Sequence, residues 1–282
     1  GWFETPAQGF QGVMIGFAVI ATGCLCLTAA STKERIAPPP TQHLSVVDSM
    51  RAVFINPPLL VVMVLFTCGM LAFTIRQTVA VYYFEYYLGR GDLIGTFFMA
   101  TLSVMLVGLI GVPKLAAWLG KGGSIVAGGL LTILGCIGMY YTPQDAPLWA
   151  MVCGCIVAMG GTPIAVLGWA MIPDTIEYAQ WRHGMRADGA VYSMSSFFQK
   201  LAKSVGGAGV AAVLAMAGYV ANQAQTVESL EAIRAMMSWG PAVIMTVAIA
   251  AALLYPLNRE RHAQMVREIE ARAAAERAAG SE

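Results

Sequence analysis

The stretch MIPDTIEYAQWRHGMRADGAVYSMSSFFQK, residues 171–200, places a dense set of charged side chains between two long apolar runs. It continues into an apolar segment that carries Lys200 and Lys203 in its interior. An ionisable side chain at membrane depth costs about 2.5–3.5 kcal/mol on insertion scales, so such residues rarely occur there without a function. The stretch therefore predicts a transporter, of which it forms the cytoplasmic gate and part of the central cavity.

The composition excludes an ordinary soluble domain. The chain is 57% hydrophobic and 12% charged, whereas a soluble domain carries about 25% charged residues. The surplus apolar residues come in long runs, which is typical of an all-α, polytopic membrane protein. All six cysteines lie inside these runs with no histidine or acidic cluster beside them. We expect them to pack rather than to bind a metal.

Seven apolar runs are long enough to cross about 30 Å of hydrocarbon as helices. A Pro-rich linker at residues 32–57 separates the first run from the other six, which occupy residues 58–256. Residues 257–282 are rich in Arg, Glu and Ala and are predicted to form a solvated cytoplasmic tail helix. The seven runs lie near residues 9–31, 58–88, 93–118, 123–142, 147–172, 189–219 and 233–256.

Lysine and arginine alternate between the connections, and the positive-inside rule places the basic connections in the cytoplasm. The chain then starts outside a cell (inner) membrane and ends inside it. One helix, a cytoplasmic linker and a six-helix block are what remain when a twelve-span transporter is cut before its sixth helix. Such transporters hold their substrate between two six-helix halves near the membrane midplane. The first residue is Gly1 rather than Met, so we expect the N-terminal half of the same transporter as a partner.

A gate is predicted in the polar stretch. Asp174 and Glu177 are three residues apart on one face of a helix end, and Arg182 and Arg186 follow four apart. Opposed charges at a cytoplasmic helix end can pair when the cavity is closed on that side and separate when it opens. The alternative is a solvated loop with surface ion pairs worth about 0–1 kcal/mol.

A cavity-lining helix is predicted to follow the gate. Lys200 lies about 16 Å along its helix at 1.5 Å per residue, which is too deep for its amine to reach the cytoplasmic surface. Lys203 shares its face, and Ser196 and Gln199 make the cytoplasmic half of the helix polar. Lys200 is expected to contact a substrate hydroxyl or anion, or to balance a coupling ion. A structural ion pair is the alternative.

Three further side chains are candidates for substrate contact. Arg76 lies deep in the second span and is expected to face the cavity. Tyr83, near the outer end of that span, could contact substrate or belong to an interfacial aromatic belt. Trp169 could stack on a sugar ring, with a position at the membrane interface as the alternative.

The quoted stretch also resembles a known family. The pattern DTIEYxxWRxGxRxxG at residues 174–189, continued by YS at 192–193 and FxxK at 197–200, closely resembles a signature of the glycoside–pentoside–hexuronide:cation symporters. These symporters are the melibiose-permease-like branch of the major facilitator superfamily, and the signature covers their loop 10–11 and helix 11. The tyrosines at 82, 83 and 86 and the TKER at residues 32–35 are similar to two further segments of that family.

The resemblance implies symport of a sugar, glycoside or uronide with sodium or a proton, without an organic cofactor. Lys200 matches the helix 11 lysine that links the cation and sugar sites, and Ser196 a polar residue that approaches the sugar. Asp174, Glu177 and Arg186 match the loop that closes the inner side. The family's cation-binding acids lie on helices 2 and 4, so the coupling-ion site would be mainly in the N-terminal half.

Two positions depart from the family pattern. Ala179 stands where many members have glycine, which leaves the flexibility of the loop open. Ala165 stands where the melibiose carriers have a helix 10 tryptophan, which argues against a melibiose-like substrate. Lys200, Lys203 and Arg76 together indicate an anionic substrate such as a uronate or a sulfonated sugar.

Other functions remain as alternatives. A seven-span receptor has the same helix count, and a lipid or lysolipid carrier could use the same superfamily fold. An intramembrane enzyme is disfavoured because the three histidines lie in loops or the tail. Nothing in the sequence indicates a nucleic-acid partner.

Overall fold

The computed structural model describes residues 6–32, 50–51, 53–257 and 259–279. The chain divides into two units, residues 1–43 and residues 44–282. In the first unit, α1 (Pro6–Ser31) exposes large apolar side chains on all sides, among them Phe10, Phe17 and Leu25. At about 39 Å it is long enough to span a membrane. Most of the predicted linker, residues 33–49, lies outside the described residues.

The second unit is a bundle of helices, and no strand occurs in its described residues. This confirms the predicted all-α membrane fold. A π-helical turn at Tyr83–Tyr87 extends α2, and a 3₁₀ turn at Gly91–Leu93 precedes α3. The helices are α2 (Pro57–Tyr82), α3 (Ile94–Tyr140), α4 (Pro147–His183), α5 (Asp188–Met216), α6 (Val227–Leu253) and α7 (Arg259–Ala279).

The chain reverses direction within α3 at Gly120, whose φ of 74° is a conformation that favours glycine. Before this point, Phe97 lies against Gly154 and Gly108 against Thr162, so the first arm runs parallel to α4. After it, the neighbour pairs run in the opposite order along α4, Gly128 with Gly160 and Gly138 with Cys153. The two arms are the spans predicted at 93–118 and 123–142.

Local sequence signals set several helix ends. The Asn56 side chain accepts a hydrogen bond from the Leu59 amide at 3.2 Å and donates one to the Thr175 carbonyl at 2.7 Å. It therefore caps α2 and ties it to α4. Thr226 caps α6 in the same way, and Gly184 ends α4 in the left-handed conformation.

The predicted end of the fifth span at residue 172 is wrong, because α4 continues to His183. Proline removes one helical N–H donor, yet two carbonyls of the turn before Pro173 receive other donors. Thr175 Oγ1 donates to the Ile172 carbonyl at 2.7 Å, and Lys121 Nζ to the Ala170 carbonyl at 3.0 Å. Side-chain donors of this kind allow a proline to remain inside a membrane helix.

Five helices of the described part of the chain are long and apolar enough to cross a membrane. They comprise α1, α2 with its π turn, the two-armed α3 with its 3₁₀ turn, α4 and α6. Helix α5 is not among them, although its 29 residues extend about 43 Å. Lys200, Lys203 and the polar residues of its first half lower its mean hydropathy. Because of these polar residues, α5 can lie in a membrane only if one of its sides borders water or other polar groups.

Candidate functional site

Helix α5 presents one polar side. Lys200 and Lys203 are exposed, and Ser196 is half-buried on the same face. Neither lysine forms an ion pair within the described residues, so the structural ion pair considered as an alternative is not seen there. The buried side of α5 next to this face packs on α2, where a Cβ added to Gly206, one turn after Lys203, would lie 3.2 Å from Thr74.

Gln199 lies between the polar and the packed sides of α5. Its side chain is half-buried, and its Nε2 has no hydrogen-bond partner among the described residues. A buried amide donor without a partner costs about 1–3 kcal/mol. Gln199 Nε2 is thus a buried donor without a partner beside the polar side of α5.

A pocket of about 140 Å³ opens between α2, α3, α4 and α6, and Arg76 lies in its wall. Arg76 is 7% exposed, and its Nη1 has no hydrogen-bond partner in the described chain. The other lining residues are apolar apart from Thr132. They include Phe66, Phe73, Met105, Gly161, Ala165 and Met245.

Trp169 and Tyr83 differ in their access to this region. Trp169 is 45% exposed, and its ring packs edge-to-face on Phe66 with centroids 5.2 Å apart. Tyr83 is fully buried, donates its hydroxyl hydrogen to the Met139 carbonyl at 3.2 Å and stacks on Tyr87. The π turn directs the Tyr83 ring into the core in this structure, and a contact between Tyr83 and substrate stays a prediction.

A charged cluster joins α4 to the α3 turn and to α7. Lys121 Nζ donates to Asp174 Oδ2 at 2.6 Å, and Asp174 is 7% exposed. His262 Nε2 lies 2.8 Å from Glu177 Oε2 and 3.4 Å from Asp174 Oδ1. Burial, and after it the Asp174 carboxylate, raise the pKa of Tyr255 beside the cluster. The acids predicted to form the gate thus share one network.

The cations predicted to pair with these acids do not do so here. Arg186 Nε donates to Asp188 Oδ2 at 3.0 Å, and its Nη1 donates to Gln180 Oε1 at 3.2 Å. Arg182 is exposed. Because α4 stays helical, Arg182 lies about 12 Å further along the axis than Asp174. Lys121 and His262 are the partners of the two acids instead. Both lie far from Asp174 and Glu177 in the sequence, so spacing along the chain did not indicate them.

The tail helix α7 lies against the end of α4 rather than being solvated on all sides. Trp181 Nε1 donates to Glu268 Oε2 at 2.6 Å, and Arg272 Nη1 donates to the Trp181 carbonyl at 3.1 Å. Met265 is 3% exposed. The hydrogen bond from Trp181 lowers the pKa of Glu268.

Comparisons with known proteins show a family. Residues 2–259 match the family described as MFS/sugar transport protein. The chain is 30% identical over 273 residues to a putative sulfoquinovose importer of Escherichia coli, covering 96% of this chain and 58% of that protein. It is 30% identical to the isoprimeverose transporter of Lactiplantibacillus pentosus (92% and 54% covered) and 28% identical to a glucuronide carrier protein homolog of E. coli (93% and 57%). The chain thus spans 54–58% of the length of these relatives.

Proposed function

The chain belongs to the MFS/sugar transport protein family, and from this premise we propose that it is part of a symporter for a sugar or glycoside. Sodium or a proton is the coupling ion. The names of the relatives, which include a sulfoquinovose importer, an isoprimeverose transporter and a glucuronide carrier homolog, support a small sugar-like substrate. The apolar helices and the family make it a multi-pass membrane protein.

The polar side of α5 carries the proposal. Lys200 and Lys203 are exposed there without an ion-pair partner in the described residues. Two charged amines on a helix among apolar neighbours are stable where they border water or a polar ligand. We place this side at the translocation cavity, with Ser196 and Gln199 beside Lys200 as groups that hydrogen-bond sugar hydroxyls.

The cluster around Asp174 supports alternating access. Its acids lie at the end of α4 beside the α3 turn, and the partners Lys121 and His262 come from two other elements. Relative movement of these elements would break the pairs, which is how a two-state gate operates. We assign the cluster to the cytoplasmic side of an inner membrane, with the tail in the cytoplasm.

Transport by the intact protein tests this function. Vesicles that contain it are supplied with a labelled panel of glycosides and uronides, with and without an imposed sodium or proton gradient. Accumulation of one sugar class under a gradient is the expected result. Flux that ignores both gradients contradicts symport, and flux of a lysolipid with no flux of any sugar contradicts the substrate class.

A further inference from the structure

Arg76 is a buried cation with no partner in the described chain. It lies on α2, about 28 Å along the axis from Pro57 and about 17 Å from Tyr87. This places it well inside the span. Its residue surface is 7% exposed, and Nη1 is fully enclosed without a hydrogen-bond acceptor.

The surroundings of Arg76 supply no counter-charge. The titratable groups that act on it are the Cys136 and Cys155 thiols. No carboxylate of the described residues lies within ion-pair distance of it. Thr132, the other polar lining residue, donates its hydroxyl hydrogen to the Gly128 carbonyl at 3.0 Å.

An uncompensated charge in an apolar setting is costly, and an anion that binds with matching geometry offsets part of this cost. A guanidinium presents a planar fork of donors that suits carboxylate, sulfonate and phosphate oxygens. A neutral sugar hydroxyl would satisfy a donor but would leave the charge unpaired. The requirement at Arg76 is therefore for an anion.

The pocket offers room for such a group. Its volume of about 140 Å³ is well above what a single water molecule needs. Phe73, one helical turn before Arg76, is 42% exposed and marks the open side. On the α4 wall, a Cβ added to Gly161 would meet no atom within 4 Å, and Ala165 has only a methyl side chain.

We propose that this pocket is a subsite for the anionic group, a carboxylate or sulfonate, of the transported sugar. Arg76 binds that group, and the sugar ring lies at the open side beside Phe73. The inference rests on the proposed sugar transport and narrows its substrate class to acidic sugars. It assigns Arg76 a task separate from Lys200 and Lys203, which lie exposed on α5.

Binding to the purified intact protein in nanodiscs tests the subsite. The probes are glucuronate, a 6-sulfonated glucose and neutral glucose, measured by titration calorimetry. The wild type is expected to bind at least one acidic sugar about tenfold or more tighter than glucose. Arg76→Met should remove this preference and leave glucose binding unchanged. Arg76→Lys should keep part of it, since a point charge remains without the fork.

Matched variants separate a ligand site from a structural role. Arg90→Met removes an exposed arginine that pairs with Asp92 at the end of the same span and should leave the preference intact. Ala165→Phe fills the pocket while Arg76 stays in place, and it should selectively weaken the binding of acidic sugars. This variant also tests the subsite if Arg76→Met fails to fold. Equal affinity of the wild type for all probes, or full acidic-sugar affinity in Ala165→Phe, overturns the subsite.

The two proposals fail differently. A wild type that accumulates neutral sugars under an ion gradient without preferring acidic ones refutes the subsite and keeps the symporter. A wild type that transports none of the sugars under any gradient refutes the proposed function itself. Loss of thermal stability in Arg76→Met with no change in probe selectivity shows that Arg76 has a structural role instead, and this also overturns the subsite.

Discussion

Lys121 Nζ lies 2.6 Å from Asp174 Oδ2 and donates at the same time to the Ala170 carbonyl at 3.0 Å. One amine thus pairs with a buried acid and supplies a donor to the helix turn that Pro173 disrupts. The α3 turn at Gly120 brings Lys121 to this place. The same lysine therefore belongs to the proposed gate and contacts the helical turn of α4 before Pro173.

Lys121→Met should lower the free energy of unfolding by about 1–3 kcal/mol, since Asp174 would keep a mostly buried charge while the lysine itself is half-buried. Thermal unfolding in detergent measures the effect. Lys114→Met removes an exposed lysine of the same helix and should change little. Equal effects of the two substitutions would contradict the ion pair.

Asp174→Asn combined with Glu177→Gln should slow turnover more than it weakens substrate binding. Both acids hold Lys121 and His262 across moving elements, and neither lies in the pocket around Arg76. Transport rate and substrate affinity are measured separately on the intact protein. If transport rate and substrate affinity fall by the same factor, the assignment of Asp174 and Glu177 to the gate is wrong.

Lys200→Ala should abolish uptake of the substrate without lowering thermal stability. The amine is exposed and makes no ion pair in the described residues, so its removal should leave the fold intact. Lys114→Ala serves as the control for loss of a surface lysine. Unchanged uptake in Lys200→Ala would refute the role assigned to this residue.

Gly160→Ala should destabilise the bundle by about 1–3 kcal/mol through overpacking. Its Cβ would lie 2.6 Å from both the Gly128 carbonyl oxygen and the Thr132 amide nitrogen. Gly161→Ala is a control one residue away, since its Cβ would meet nothing within 4 Å. Similar melting temperatures for the two variants would show that α3 and α4 approach less closely.

Docking of the tail should weaken in acid. Because the Trp181 hydrogen bond lowers the pKa of Glu268, ionised Glu268 stabilises docking above the ordinary carboxyl pKa, and this stabilisation is lost as the pH falls through the lowered value. Docking is followed by Trp181 fluorescence as a function of pH, obtained as the difference between the signals of the wild type and of Trp181→Phe. Glu268→Gln, which cannot ionise, should remove this transition, and persistence of the transition in this variant would contradict its assignment to Glu268.

Much of the fold is predictable from sequence because hydropathy and periodicity are local properties. The two arms of α3 were expected on either side of residues 119–122, and Gly120 provides the reversal. The resemblance to a sugar-transporting branch of the major facilitator superfamily is confirmed by the family match. Helix α4 extends past Pro173 to His183, beyond residue 172, where the fifth span was expected to end.

The candidate site is less predictable, because its pairs join residues far apart in the chain. Asp174 was expected to pair with Arg182 or Arg186 nearby, but it meets Lys121, 53 residues earlier. Tyr83 was expected either to contact substrate or to belong to an aromatic belt, and the π turn places it in the core of this structure. Arg76 was expected from the sequence to lie deep in a span and to face the cavity, but the residues that line the pocket beside it come from four helices and could not be named from the sequence.

The sequence by itself determined the class of the protein, its spans and the polar side of α5, since each depends on which residues follow one another along a helix. The tertiary structure decided which charges meet, which aromatic rings are buried and that a buried, unpaired guanidinium lies in the wall of a pocket. The physical reason is that ion pairs and pockets depend on how helices pack, and two residues come into contact through the arrangement of the elements that carry them.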